Sequence, residues 1–327
     1  MINISEEPIN HVAKRYGVSE EILRRHYRDV TSGYRAWEQL EHAEEYLIFE
    51  QNLGEYLSID ELDLSSGELT TFLTNKSGKG QEGTLVAAIR GTSTKDIVNV
   101  FMKFPLEKRL LVKEVTMDMA PNMSSAIRQS FPNANIVIDR FHVVKLVSDA
   151  LQHIRIKYRW QEIDNENEAI AKAKKENKKY EPHILLNGDT PKQLLARSRY
   201  TLMKTVDKWT ESQKLRAKIL FERYPEIEKA YHHTMQFRNI YKTKEYSIAK
   251  DLFLEWISKT TELKNKNFNT AANSVSNHLD GICNFFINRN TNANAESFNA
   301  KVKLFRANLR GVIDNKFFLF RLHKLFA

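Results

Sequence analysis

The hydrophobic pattern changes period along this chain. Residues 9–16, INHVAKRY, and 20–29, EEILRRHYRD, place apolar side chains at helical spacing. Gly17-Val18 separates them as a tight turn, and Pro8 suits a first helical turn. Ser19 reads as an N-cap, with Glu20 and Glu21 favourably placed in the first turn. A third helix is predicted over 36–51, WEQLEHAEEYLIFEQ, stopped by Asn52 and Gly54. The spacing then shortens. YLSIDELDL, ELTTFLTNK and GTLVAAIRG read as three strands joined by the turn-rich links SSG and GKGQEG, an antiparallel meander. TKDIVNVFMKF follows as a helix, KEVTMDMA as a strand, PNMSSAIRQSF as a helix, ANIVIDRF as a strand and HVVKLVSDALQHIRIKY as a helix.

The order β-β-β-α-β-α-β-α predicts an α/β fold, a mixed sheet with helices on its faces. It is the order of an RNase H-like domain. From about Arg159 the strand signal disappears, and amphipathic helical patterns run on to FLEWISKT. The expected division is a helical segment at 1–52, the first part of an RNase H-like core at 53–158, a large helical insertion at 159–288, and a closing helical segment at 289–327.

Charge narrows the partners. The 327 residues carry a formal net charge of +9, which favours a polyanion, nucleic acid before an anionic membrane. A single cysteine, Cys283, excludes a disulfide framework and a cysteine-built zinc site, and points to a reducing compartment. MINISEEPIN holds no apolar signal region, so the expectation is a cytoplasmic, nucleoid-associated protein with no membrane partner. The N-terminal helix, glycine turn and helix read either as a helix-turn-helix offering Arg24, Arg25 and Arg28 to DNA, or as a plain helical hairpin.

The candidate chemistry is acidic. Asp60 lies inside a strand, where aspartate is depleted, and a buried carboxylate must be paired or hold a metal. Asp118 ends a strand expected to neighbour it. Two such carboxylates repel unless a divalent cation lies between them. Glu296 is the expected third acid, on a helix whose apolar positions are Phe298, Val302, Phe305 and Leu309. Each acid alone also has a plain reading, as a turn, cap or helix-dipole residue.

The stretches SIDE, VTMDMAPNM, NIVIDRFHVVK and NANAESFNAKVK, with the basic RANLRG after them, resemble the DDE transposases of bacterial insertion sequences, ISL-three group. The resemblance runs from about residue 50 onward. It implies that Asp60, Asp118 and Glu296 are the three catalytic acids, holding two Mg²⁺ or Mn²⁺ ions. It further implies cleavage at the element's ends followed by strand transfer into target DNA, by a homodimer or higher oligomer. Larger members of the group carry a cysteine zinc module ahead of the helix-turn-helix; no cysteine stands there in this chain, so a separate end-recognition protein becomes an expected partner.

Asp139 and His142 take supporting roles at the metal site, or are an acid at a strand end and a histidine starting a helix. After Glu296, Lys301, Lys303, Arg306, Arg310, Lys316, Arg321 and Lys324 face one acid, Asp314, and read as a phosphate-contacting segment or a solvated face. His232 and His233, adjacent on a helix, point apart and do not form a metal pair. Trp209 and Trp256 read as core. The competing functions are an RNase H-like nuclease or resolvase without strand transfer, and a transposase-derived DNA-binding protein.

Overall fold

The computed structural model describes residues 9–65, 67–309 and 314–327. Pro8, Ser66 and Arg310, each used in the sequence reading, lie outside them. The chain forms two compact units, one of Met1–Asp139 with Asn288–Ala327 and one of Arg140–Ile287.

The first unit is built on a six-stranded sheet. Its strands are β1 (Tyr46–Ile48), β2 (Tyr56–Ser65), β3 (Glu68–Asn75), β4 (Leu85–Arg90), β5 (Glu114–Met117) and β6 (Asn135–Ile138), in the spatial order β1-β4-β3-β2-β5-β6. β2, β3 and β4 form the expected antiparallel meander, and β5 and β6 add in parallel on the other side of β2. The helices of this unit are α1 (Ile9–Tyr16), α2 (Glu20–His26), α3 (Thr94–Phe101), α4 (Leu106–Leu110), α5 (Pro121–Ser130) and, from the C-terminal part, α14 (Ala293–Asn308) and α15 (Asn315–Phe326). The second unit holds α6 (Arg140–Lys175), α7 (Pro191–Arg197), α8 (Glu211–Arg223), α9 (Pro225–Ile240), α10 (Tyr246–Thr260), α11 (Lys266–Asn277), α12 (Leu279–Cys283) and the start of α13 (Phe285–Asn288).

The meander strand β2 is buried on both faces. Leu57 and Ile59 point to one side and Leu62 and Leu64 to the other. Leu62, Leu64, Phe72 and Ala88 join Phe298, Val302 and Phe305 of α14 and Phe318 and Phe320 of α15 in one apolar cluster. Asp60 shares the pleat face of Leu62 and Leu64, so it lies on the side of the sheet that α14 covers.

Three expectations need correction. The helix predicted over 36–51 does not form; residues 38–45 are turns, and Tyr46–Ile48 is an edge strand on β4. Tertiary pairing overrides local propensity there. Leu47 is fully buried, and the Gln39 amide both donates to the Ile48 carbonyl and accepts from the Ile48 N–H, each at 2.9 Å. Second, Ser19 occupies the N-cap of α2, but its side chain makes no capping hydrogen bond. Gly17 between α1 and α2 has φ +64, a left-handed turn that suits glycine. Third, α6 runs unbroken for 36 residues from Arg140. It crosses the expected boundary at 158/159, and the helical unit begins at its first residue.

Within the second unit, aromatic rings form the core. Phe237 packs against Phe253 and Trp256, with centroids 5.4 and 4.6 Å apart. His233 stacks on Trp256 and bonds Thr260 Oγ1 at 2.7 Å, while His232 is exposed, as the divergent pair requires. Trp256 is buried as expected; Trp209 is only half-buried, its indole N–H donating to the Thr201 carbonyl.

Candidate active site

β5 stands beside the first part of β2. Ser58 pairs in register with Thr116. That is the last pair of the β2–β5 ladder; Asp60 lies two residues beyond Ser58, and Asp118 two beyond Thr116, just past the last residue of β5. Asp60 accepts the Glu61 N–H through Oδ1 at 2.8 Å and the Asn299 amide through Oδ2, also at 2.8 Å. Asn299 lies in α14, three residues beyond Glu296. Steps of three and four residues keep to one helix face, so Glu296 stands on the face that reaches Asp60. Its side chain is exposed. Among the described residues, no three His, Cys, Asp or Glu side chains already stand close enough to hold a metal ion.

What lies beneath is a polar network that sequence reasoning missed. Lys76, just after β3, is buried and pairs with Glu114 of β5 at 2.9 Å, and it also donates to Thr116 Oγ1. Burial pushes the Lys76 ammonium below the usual lysine range, and the charges of Glu114 and then Asp139 pull it back up. Three asparagines ahead of Glu296 dock on this network. The Asn288 amide donates to Glu114 Oε2 at 3.1 Å, the Asn292 backbone N–H to Asp139 Oδ1 at 3.1 Å, and the Asn294 amide to the Lys76 carbonyl at 3.3 Å. The stretch NTNANA, which reads as a plain loop in sequence, is thus a strap that pins the start of α14 to the sheet. A further acid is Glu61, beside Asp60. Burial raises its carboxyl pKa, the Asn122 amide lowers it, and the charge of Asp118 raises it again.

The remaining candidates fall as follows. Asp139, 2% exposed, sits just past β6 and holds the Asn292 N–H. His142 belongs to the second unit, near the start of α6, with its ring nearly perpendicular to that of Phe141 and the centroids 5.5 Å apart. Lys301 donates to the Gly80 carbonyl at 2.6 Å and Arg306 to the Asp63 carbonyl at 3.2 Å, while Lys303 is exposed. Arg321, counted in sequence among the basic residues facing outward, is 1% exposed and lies over the rings of Tyr27 and Phe305. It cannot reach a phosphate. In the N-terminal helices, Arg24 pairs with Glu20 at 2.5 Å, and Arg28 with Asp29 at 3.0 Å and Asp314 at 3.5 Å, leaving Arg25 as the exposed arginine with no ion pair among the described residues. These helices also dock on α15, through Tyr27 and Tyr34 against Phe317.

A mixed six-stranded sheet with helices on its faces makes the first unit an α/β fold, with Asp60 inside β2 held by α14, and Asp118 and Asp139 just past β5 and β6. The family model DDE_Tnp_ISL3, described as a transposase, matches residues 57–322, and the chain belongs to that family. It is therefore a transposase with DNA as its partner. No curated protein matches the chain. Among the described residues, no helix is long and apolar enough to cross a membrane.

Proposed function

We propose that this transposase cleaves DNA at the ends of an insertion sequence and joins the freed ends to target DNA, using Asp60, Asp118 and Glu296 on an RNase H-like core. The strand order and the equal offsets of Asp60 and Asp118 from the Ser58–Thr116 pair support the core. The observation that carries the reading is the Asn299–Asp60 hydrogen bond, because it seats the helix of Glu296 directly over the strand aspartate.

The donor set suits a hard divalent cation such as Mg²⁺ or Mn²⁺. It consists of carboxylate oxygens, together with the Asn299 Oδ1, which is buried and accepts no hydrogen bond among the described residues. Asp60, Asp118 and Glu296 would hold two such ions. When bound, they activate the attacking water or 3′ hydroxyl and stabilise the leaving oxygen of the phosphodiester. The protein's own part is positional. Asn299 fixes the Asp60 carboxylate without neutralising it, since an amide donates a proton but carries no charge. A lysine in its place would compete with the cation for the same negative charge. Lys76 does neutralise, but its partner is Glu114, four residues before Asp118. Lys303 and Arg306 supply phosphate contacts along α14. The working assembly is a dimer or larger on DNA.

Asp60→Asn and Glu296→Gln test the reading. Each removes a charge and keeps the shape, so Mg²⁺-dependent cleavage of a labelled element end should fall by orders of magnitude while binding to that end survives. The metal-free melting temperature of Asp60→Asn should change little, because the relief of repulsion is offset by the loss of one of the two hydrogen bonds that the carboxylate accepts. Retained cleavage in either variant would remove that acid from the mechanism.

A further inference from the structure

The sequence stretch IDRFHVVK carries two residues that the acidic site does not use, Arg140 and Phe141. They open α6, and in the second unit they line a cleft of about 320 Å³ with Val144, Arg238, Tyr241 and Lys242. Three of the six lining residues are cations and none is an acid. The acid whose carboxyl Lys242 helps hold below its ordinary pKa, Asp207, lies outside the lining. Phe141 is 62% exposed, and its ring stands nearly perpendicular to that of His142. The Arg140 guanidinium lies 6.0 Å from the Tyr241 ring centroid and 5.7 Å from that of Phe285, which holds it at the rim. Arg238 donates through Nη1 to the Met203 carbonyl at 2.7 Å and to Met235 Sδ at 3.8 Å, leaving other N–H groups of its guanidinium to offer.

We infer that this cleft binds an unpaired nucleotide of the DNA, its base stacked on Phe141 and its phosphate between Arg238 and Lys242. The inference rests on DNA being the partner and is independent of the acids. Two features select this occupant. An excess of three positive charges without an acid calls for an anion, and a phosphodiester is the anion this protein handles. An exposed aromatic face gains most from another π-face. In a duplex those faces are already stacked on one another, so Phe141 reaches one only when a base has left the stack. The cleft's size accommodates one nucleotide and not a duplex groove.

The experiment is fluorescence anisotropy on the full chain with two probes, a labelled oligo(dT) about a dozen nucleotides long and a duplex of about 20 base pairs. Phe141→Ala should weaken oligo(dT) binding by about 5- to 150-fold and change duplex binding by less than about twofold. Phe141→Tyr, which keeps a stacking face, should restore oligo(dT) binding. Lys242→Gln should lower the salt slope for oligo(dT) by about one contact's worth, roughly 0.7. Unchanged oligo(dT) binding by Phe141→Ala, with the duplex still bound, would overturn the nucleotide site alone. An equal loss on both probes would also overturn it, in favour of a duplex or protein surface. If the unmodified chain bound neither probe, the DNA partnership and the site would fall together.

Discussion

Both units bury charge in closed sets of partners, and they differ in the polar groups left beside the acids of the sheet. In the helical unit, buried charge is closed on itself. Asp189, 1% exposed, is met by Arg197, by Arg216 at 3.1 Å and by the Asn187 amide at 2.8 Å, and Arg155 donates to Gln152 Oε1 and to the Leu195 carbonyl. The rest of that core is aromatic. In the sheet unit the polar interior is left incomplete. Ser58 Oγ, both side-chain atoms of Asn292 and the Asn299 Oδ1 are buried with no hydrogen-bond partner among the described residues. Such groups are costly, roughly 1–3 kcal/mol each when unpaired. Ser58 shares the pleat face of Asp60, and Asn292 and Asn299 flank Glu296 in sequence; the helical unit likewise buries Gln152 Nε2 and Thr201 Oγ1 without a partner among the described residues. Where a fold tolerates unsatisfied polar groups, something other than stability is being served.

That contrast can be broken most forcefully at Lys76. Lys76→Met leaves the Glu114 carboxylate buried with only neutral donors, the Asn288 amide and the Thr116 hydroxyl, and should cost about 3–5 kcal/mol in the unfolding of the sheet unit. Lys76→Met with Glu114→Gln should recover most of the loss. If the single variant unfolds no earlier than the double in urea, the pair is not what holds this region together.

A smaller effect is expected on acidification, and it falls on both units. Burial, with the charge of Lys259 behind it, holds the His233 imidazole down at about 4 in the helical unit; burial and Lys324 do the same to His323, also about 4, in the sheet unit. Between pH 6.5 and 4 the unfolded chain takes a proton at each site that the folded chain refuses. Stability is therefore full above pH 6.5, is lost as pH falls through this window, and loses nothing further from these groups below about 4. For His233, 6% exposed, the loss is on the order of 3 kcal/mol. His323 is more accessible and should contribute less. Melting temperatures measured from pH 7 to 4 check this, and His233→Gln should flatten the dependence of the helical unit alone. An unflattened profile would place the acid sensitivity elsewhere.

The smallest effect sharpens the comparison at the site itself. Asn299→Ala removes one hydrogen bond to a charged group and should lower metal-free stability by about 1.5–3 kcal/mol at most, less if water replaces the amide. Asn299→Asp should instead add a third repelling carboxylate, so that Mn²⁺ raises its melting temperature more than it raises that of the unmodified chain. An identical Mn²⁺ shift in both would leave Asn299 a packing residue.

Period and punctuation made most of the sheet legible in sequence. The meander was visible because β2, β3 and β4 are regular strands closed by glycine-bearing turns, and the helix–strand alternation after it because α3, α5, β5 and β6 are short and bounded by proline or glycine. The strand at Tyr46–Ile48 was hidden, since its three residues acquire their conformation from β4 and from Gln39, far outside any local pattern. At the site, Asp60 stood out as a charge inside a strand. Lys76 gave no such signal, because a lysine after a strand is ordinarily solvated and its burial depends on Glu114, which lies 38 residues on. Asn299 could have been found by extending the face of Glu296 one turn along the helix. The asparagines of the strap read as loop residues because the acids they bind come from β5 and β6, near in space and far in sequence.

The interruption of the sheet unit by the helical one has a consequence for the order of events during synthesis. Leu62, Leu64, Phe72 and Ala88 are covered by residues of α14 and α15, which leave the ribosome only after the whole of Arg140–Ile287. At ~5–20 residues per second, that interval lasts roughly 7–30 s. Throughout it the nascent chain presents an uncovered apolar sheet face beside two aspartates, so a chaperone has a defined surface and a defined time in which to act. The same delay means that the helix bearing Glu296 can dock only after the whole helical unit has been made.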